Sequence, residues 1–160
     1  MTEKIKYAII GAGCMGQEHI LNIGLIDDAE VVALCDTSEK SIQESLDLLT
    51  NDVAIFNNYN DLIEANIANA FIIATPNFTH IDVLKDVMKS EVHLLIEKPL
   101  CTTVKDCQEF EKLAENYPGV IWTAMEYRYM PPVQRMIKEI HNKTIGDLKM
   151  LSIREHRFPF

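Results

Sequence analysis

A doubly wound α/β sheet of parallel strands is the fold class this sequence predicts, and three observations predict it. Short β-rich apolar runs alternate with stretches of helix length. Those stretches carry apolar residues at helical spacing and polar residues at their starts. A glycine-rich loop joins the first run to the first helix-like stretch.

The runs "KYAII", "VVALC", "VAIF", "NAFIIA", "VHLLIE" and "VIWTA" are the predicted strands. Between the fourth and fifth, Ile81, Leu84 and Met88 recur on one helical face; between the fifth and sixth, Cys107, Phe110, Leu113 and Tyr117 do the same. Thr79 with Asp82, and Thr103 with Asp106, fit an N-cap followed three residues later by an acid, and Asn60 and Ser38 are cap candidates for the shorter helices. After Ala124 the texture changes. "EYRYMPP" reads as a proline-punctuated linker, and a helix follows with Val133, Met136, Ile137 and Ile140 on one face. "DLKMLSIREHRF" then reads as a strand with nothing after it to pair with. The expected organisation is one domain over residues 1–125, with 126–160 supplying a linker, a helix and the first strand of an incomplete second domain.

Composition narrows the function classes. With 15 Lys and Arg against 24 Asp and Glu, the formal charge of −9 opposes a phosphate backbone, so nucleic acid is not an expected partner. No apolar run approaches the ~20 residues that span a bilayer, and Gly11 and Gly13 break the N-terminal apolar stretch, so a cytoplasmic protein without a membrane partner is expected. Cys14, Cys35, Cys101 and Cys107 have neither CxxC pairing nor zinc-finger histidines nearby, so four reduced thiols and no structural metal are expected.

In "GAGCMG", Gly11, Gly13 and Gly16 match GxGxxG. The first permits a sharp turn, the second lets a pyrophosphate approach the backbone, and the third lets the helix pack on the strand. A strand precedes the motif, a helix opens at about Cys14, and Asp36 ends the second strand 20 residues beyond Gly16. An acid there accepts hydrogen bonds from the adenosine ribose and repels a 2′-phosphate. The following "TSEK" holds no arginine to receive one, so NAD is expected over NADP, with Lys40 the one opposing feature.

Beyond this Rossmann-type loop, "GAGCMGQEH", "ATPNFTH", "EKPL" and "EYRYMPP" occur in that order, and together they resemble the Gfo/Idh/MocA family of sugar and polyol oxidoreductases. The resemblance runs from about Ile5 to Phe160. It implies that Thr75, Pro76 and Asn77 lie beside the nicotinamide half of the cofactor, that His80 starts the next helix, and that Lys98 of "EKP" contacts the substrate hydroxyl and the nicotinamide ribose. Independently of any family, a lysine after an uninterrupted apolar strand sits at the ligand-binding edge of such a sheet, where it can polarise an oxygen or assist proton transfer.

Lys98 is therefore the candidate catalytic residue. The candidate cofactor-binding residues are Gly11, Gly13, Cys14, Met15 and Gly16 in the loop, Asp36, and by resemblance Thr75, Pro76, Asn77, His80, Glu97, Lys98 and Arg128. Cys14 is read as a small side chain near the pyrophosphate, His19 as a polar packing residue, and Arg128 and Tyr129 as lining the pocket or anchoring the linker. The resemblance also implies hydride transfer between nicotinamide and a secondary alcohol, a proton-accepting histidine on the second domain, and a homo-oligomer formed through that domain. On this reading the 160-residue chain alone binds NAD and turns over poorly or not at all. A noncatalytic dinucleotide-binding or regulatory module is the alternative, and the unpaired last strand offers an edge for assembly with another chain.

Overall fold

The computed structural model describes residues 4–156. Strands β1 (Ile5–Ile10), β2 (Ala29–Cys35), β3 (Ala54–Phe56), β4 (Ala70–Ile73), β5 (His93–Ile96) and β6 (Ile121–Thr123) form one sheet in the order β3-β2-β1-β4-β5-β6. Every pairing is parallel, and each predicted apolar run contributes one strand. The chain moves outward from β1 to β3, then returns to place β4 on the other side of β1. The winding direction therefore reverses between β1 and β4, and the fold is a doubly wound Rossmann sheet.

Parallel strands need crossovers, which here are helices α1 (Cys14–Ile23), α2 (Glu39–Leu46), α3 (Tyr59–Ala65), α4 (His80–Val87) and α5 (Val104–Ala114). Both sheet faces are covered, which explains strands that are apolar at successive positions rather than alternate ones. Ile9, Leu34 and Ile72 face one side and pack with Ile20 and Ile23 of α1 and Ile42 of α2. Their strand neighbours Ile10, Cys35 and Ile73 face the other side with Leu62 of α3, Leu84 of α4 and Phe110 of α5.

Two of the four expected caps form as the sequence implies. Ser38 Oγ accepts from Ser41 N–H at 3.2 Å, and Thr103 Oγ1 accepts from Asp106 N–H at 3.1 Å while donating to Asp106 Oδ2 at 2.7 Å. The other two differ. Helix α3 starts at Tyr59, so its cap is Asn58, whose Oδ1 accepts from Asn60 N–H at 2.8 Å. Thr79 caps nothing, because a 3-10 turn over Asn77–Thr79 precedes α4 and turns its hydroxyl back to Pro76 O and Thr75 Oγ1, each 2.8 Å away.

The chain divides into two compact units between Ala124 and Met125. In the second, a 3-10 turn over Glu126–Tyr129 leads into helix α6 (Pro131–His141), whose first positions suit proline because no helical acceptor awaits their N–H. Val133, Met136, Ile137 and Ile140 are half-buried along α6. Within the stretch "DLKMLSIREHRF", read as a strand, residues 147–156 carry none, since a strand requires ladder hydrogen bonds to a partner and none is present among the described residues. The remainder of that stretch, from residue 157, lies outside the described residues. Among the described residues no helix is long and apolar enough to cross a membrane.

Candidate functional site

Three loops leave the carboxyl edge of the sheet side by side. Ile10, Ile73 and Ile96 are in register on β1, β4 and β5, the central strands being spaced by about 5 Å. Just beyond them Gly11 N–H donates to Cys35 O at 2.8 Å, Ala74 N–H to Ile10 O at 2.8 Å, and Glu97 N–H to Ile73 O at 2.9 Å. The glycine loop, "ATPNFTH" and "EKPL" therefore begin at one level, around the point where the winding reverses.

The three glycines of the loop answer to three different constraints. Gly11 has φ +100°, and a Cβ there would stand 2.5 Å from the carbonyl carbon and oxygen of Ala74. Gly16 lies against the turn itself, where a Cβ would meet Gly11 O at 2.1 Å, so α1 can begin only if this position has no side chain. At Gly13 a Cβ would meet no protein atom within 4 Å, yet the residue lines a cleft. Helix α1 opens immediately afterwards with no acidic residue in its first turn, leaving its unpaired N–H groups and positive dipole end for an anion.

Ser45 of α2 fastens this loop from behind. Fully buried, its hydroxyl donates to Ala12 O at 3.0 Å. Ser45→Ala leaves that carbonyl without this partner and is expected to lower stability by about 1–2 kcal/mol, read as a reduced urea midpoint at unchanged slope.

The cleft has a volume of about 640 Å³ and is lined by Gly11, Gly13, Cys14, Met15, Asp36, Thr75 and Pro76 from the predicted set. Thr37, Asn57, Tyr59, Thr79 and Val83 also line it and were not among the candidates. Asn57 and Tyr59 follow β3, the strand beyond β2, so their presence follows from the sheet order. Asp36 is rigidly held: Oδ2 accepts from Ala12 N–H and Oδ1 from Ser38 N–H, both at 2.8 Å. Lys40 does not line the cleft and stands 3.6 Å from Glu44, an exposed pair one helical turn away. Burial first, and the neighbouring Asp36 charge second, push the Cys35 thiol up to about 11, so at neutral pH this lining residue is an uncharged thiol.

The remaining candidates stand elsewhere. Gly16 packs beneath the loop rather than in the cleft, and Asn77 is exposed in the 3-10 turn. His80 is 0% exposed; Nε2 lies 3.0 Å from Thr75 O, and Nδ1 lies 3.1 Å from Pro99 O and 3.3 Å from Leu100 O. Its ring thus faces the backbone of two loops. Glu97 is 5% exposed. Its Oε1 is 2.8 Å from His19 Nε2, and its Oε2 accepts from Lys98 N–H at 3.2 Å. Lys98 is exposed, and its ammonium has no hydrogen-bond or ion-pair partner among the described residues. The Lys98–Pro99 peptide is cis. Arg128 belongs to the second unit, where it borders a shallow cleft with Gln134, Ile137 and His141.

Burial pushes the Glu97 carboxyl upward, but the His19 hydrogen bond and charge, with the Lys98 N–H and ammonium, outweigh it and leave it below the ordinary glutamate value. A lowered value means the folded chain holds this proton less tightly than the unfolded one. The resulting stabilisation is complete above the ordinary value and is lost as pH falls through the folded value. Urea midpoints should therefore fall on acidification in that window, and Glu97→Gln should remove this part of the slope.

Comparison with known proteins places this geometry in a wider group. The model of a family described as "Oxidoreductase family, NAD-binding Rossmann fold" matches residues 5–125. The chain is 31% identical over 164 residues to an inositol 2-dehydrogenase of Pseudarthrobacter chlorophenolicus, covering 99% of the chain and 47% of that enzyme. It is 27% identical over 149 residues to the rhizopine catabolism protein MocA of Rhizobium meliloti, covering 93% of the chain and 46% of that protein. Among solved structures, the WlbA dehydrogenase of Bordetella pertussis in complex with NADH and UDP-GlcNAcA superimposes with a TM-score of 0.82 at 25% identity, covering 90% of the chain and 44% of that protein. The chain thus spans less than half the length of the curated relatives it matches.

Proposed function

The chain belongs to the Gfo/Idh/MocA oxidoreductase family, and from that premise we propose that it is the cofactor-holding part of an NAD-dependent dehydrogenase acting on a secondary alcohol of a polyol or sugar. The observation that carries the cofactor half of this reading is Gly13. No neighbouring protein atom demands a glycine there, whereas a dinucleotide pyrophosphate lying across the cleft does. The donor set suits that ligand: free N–H groups open α1 for the phosphates, and the oriented Asp36 carboxylate suits ribose hydroxyls.

When bound, NAD supplies the hydride acceptor or donor at C4 of its nicotinamide ring. The residues of this chain bind and orient. Gly11 and Gly13 keep the loop close and bare, Asp36 receives the ribose, and Thr75 and Pro76 border the nicotinamide side. Lys98, an exposed cation one strand further along the same edge, would hold the alcohol oxygen and ease departure of its proton. The final proton acceptor and the choice of substrate are assigned to sequence corresponding to the rest of the relatives' length. The matches to inositol 2-dehydrogenases favour a cyclic polyol within the substrate class.

Binding and turnover, measured separately, test this reading. Given NAD and a panel of inositols and sugars, the 160-residue chain is expected to bind the cofactor and form NADH slowly or not at all, because substrate orientation is missing. Rapid NADH formation by the homogeneous chain would contradict that division of labour, and failure to bind NAD would contradict the reading as a whole.

A further inference from the structure

The turn Glu97–Leu100, which carries Lys98, is gripped by histidines from helices on opposite faces of the sheet. On α1, His19 donates from Nε2 to Glu97 Oε1 at 2.8 Å, and Glu97 Oε2 accepts from Lys98 N–H at 3.2 Å. Two consecutive hydrogen bonds therefore run from the helix that opens at the glycine loop to the backbone of Lys98. On α4, His80 spans from Thr75 O at 3.0 Å to Pro99 O and Leu100 O at 3.1 and 3.3 Å. Carbonyl oxygens only accept, so the tautomer of the His80 ring sets which of these two ends its N–H bonds.

Burying a carboxylate and an imidazole at this edge is expensive unless each is fully bonded, and an apolar contact would serve plain stability as well. What apolar packing would not provide is a fixed direction between three loops. We propose that His19 and His80 are positioning residues, holding Lys98 in register with the glycine loop on one side and with Thr75 on the other. The purpose of this brace rests on the reading of Lys98 as the substrate-facing lysine. Its existence as a mechanical link does not.

Residue-resolved amide hydrogen exchange on the 160-residue chain, without cofactor, tests the link. In His19→Ala the Lys98 amide is expected to exchange about tenfold faster or more, while the Ile72 and Ile96 amides in the sheet keep their rates. His19→Gln, which places an amide nitrogen near the position of Nε2, is expected to restore protection. Should the alanine variant not fold, Glu97→Gln weakens the same two bonds and is expected to give the same local change. An unchanged Lys98 rate in the folded variants would overturn the proposal. So would a uniform rise across the sheet that glutamine does not reverse, since that is the mark of general stability alone. An NAD titration of the unaltered chain separates this outcome from failure of the cofactor reading.

Discussion

Gly11→Ala is expected to destabilise the chain by about 2–4 kcal/mol and to abolish measurable dinucleotide binding. Two costs combine at this position. The backbone sits at φ +100°, where an L side chain is strained, and the new Cβ would stand 2.5 Å from the backbone carbonyl of Ala74, which has no side-chain freedom with which to retreat. The strain falls between β1 and β4, so the cleft should open there as the stability drops. Gly13→Ala is the informative control: its φ is −77° and a Cβ meets nothing within 4 Å, so stability should change by less than about 1 kcal/mol. NAD affinity should nevertheless fall at least about tenfold, because the methyl occupies ligand space. Urea unfolding paired with cofactor titration of both variants distinguishes a glycine required by the fold from one required by the ligand.

Asp36→Ala is expected to weaken NAD binding by about 10- to 100-fold while changing NADP binding much less. The carboxylate is already fixed by Ala12 N–H and Ser38 N–H, so it meets the ribose hydroxyls without a further ordering cost. Removing it also withdraws a negative charge from the place a 2′-phosphate would occupy. Asp36→Asn isolates the charge, since an amide oxygen can still accept from one of the two N–H groups. If both variants lose NAD and NADP affinity equally, the residue serves the loop and not the choice of cofactor. Parallel titrations of the two cofactors give the answer.

Local chemistry made the scaffold legible. Every strand of the sheet is an apolar run bounded by polar or turn residues, and the glycine motif with its acid at Asp36 occupies consecutive elements, so neighbouring sequence sufficed to place the cleft. The residues that escaped the sequence depend on distant partners. His80 stands at the start of a helix, as the string "TPNFTH" implies, but its burial under Pro99 and Leu100 follows from β4 and β5 being adjacent. His19 and Glu97 are separated by 78 residues, and nothing in either local string shows that they meet. Thr79 illustrates a nearer failure: one 3-10 turn redirected a hydroxyl that the spacing alone assigns to a cap. The stretch read as a last strand has the composition of one, and among the described residues it has no neighbour to pair with.

The most direct measurement of the central claim is calorimetric titration of the unaltered 160-residue chain with NAD and, separately, with NADP. Saturable binding of one NAD per chain, with NADP at least about tenfold weaker, is the result expected of a bare glycine cradle facing a fixed Asp36 carboxylate. Absence of saturable NAD binding, or equal affinity for the two cofactors, would contradict it.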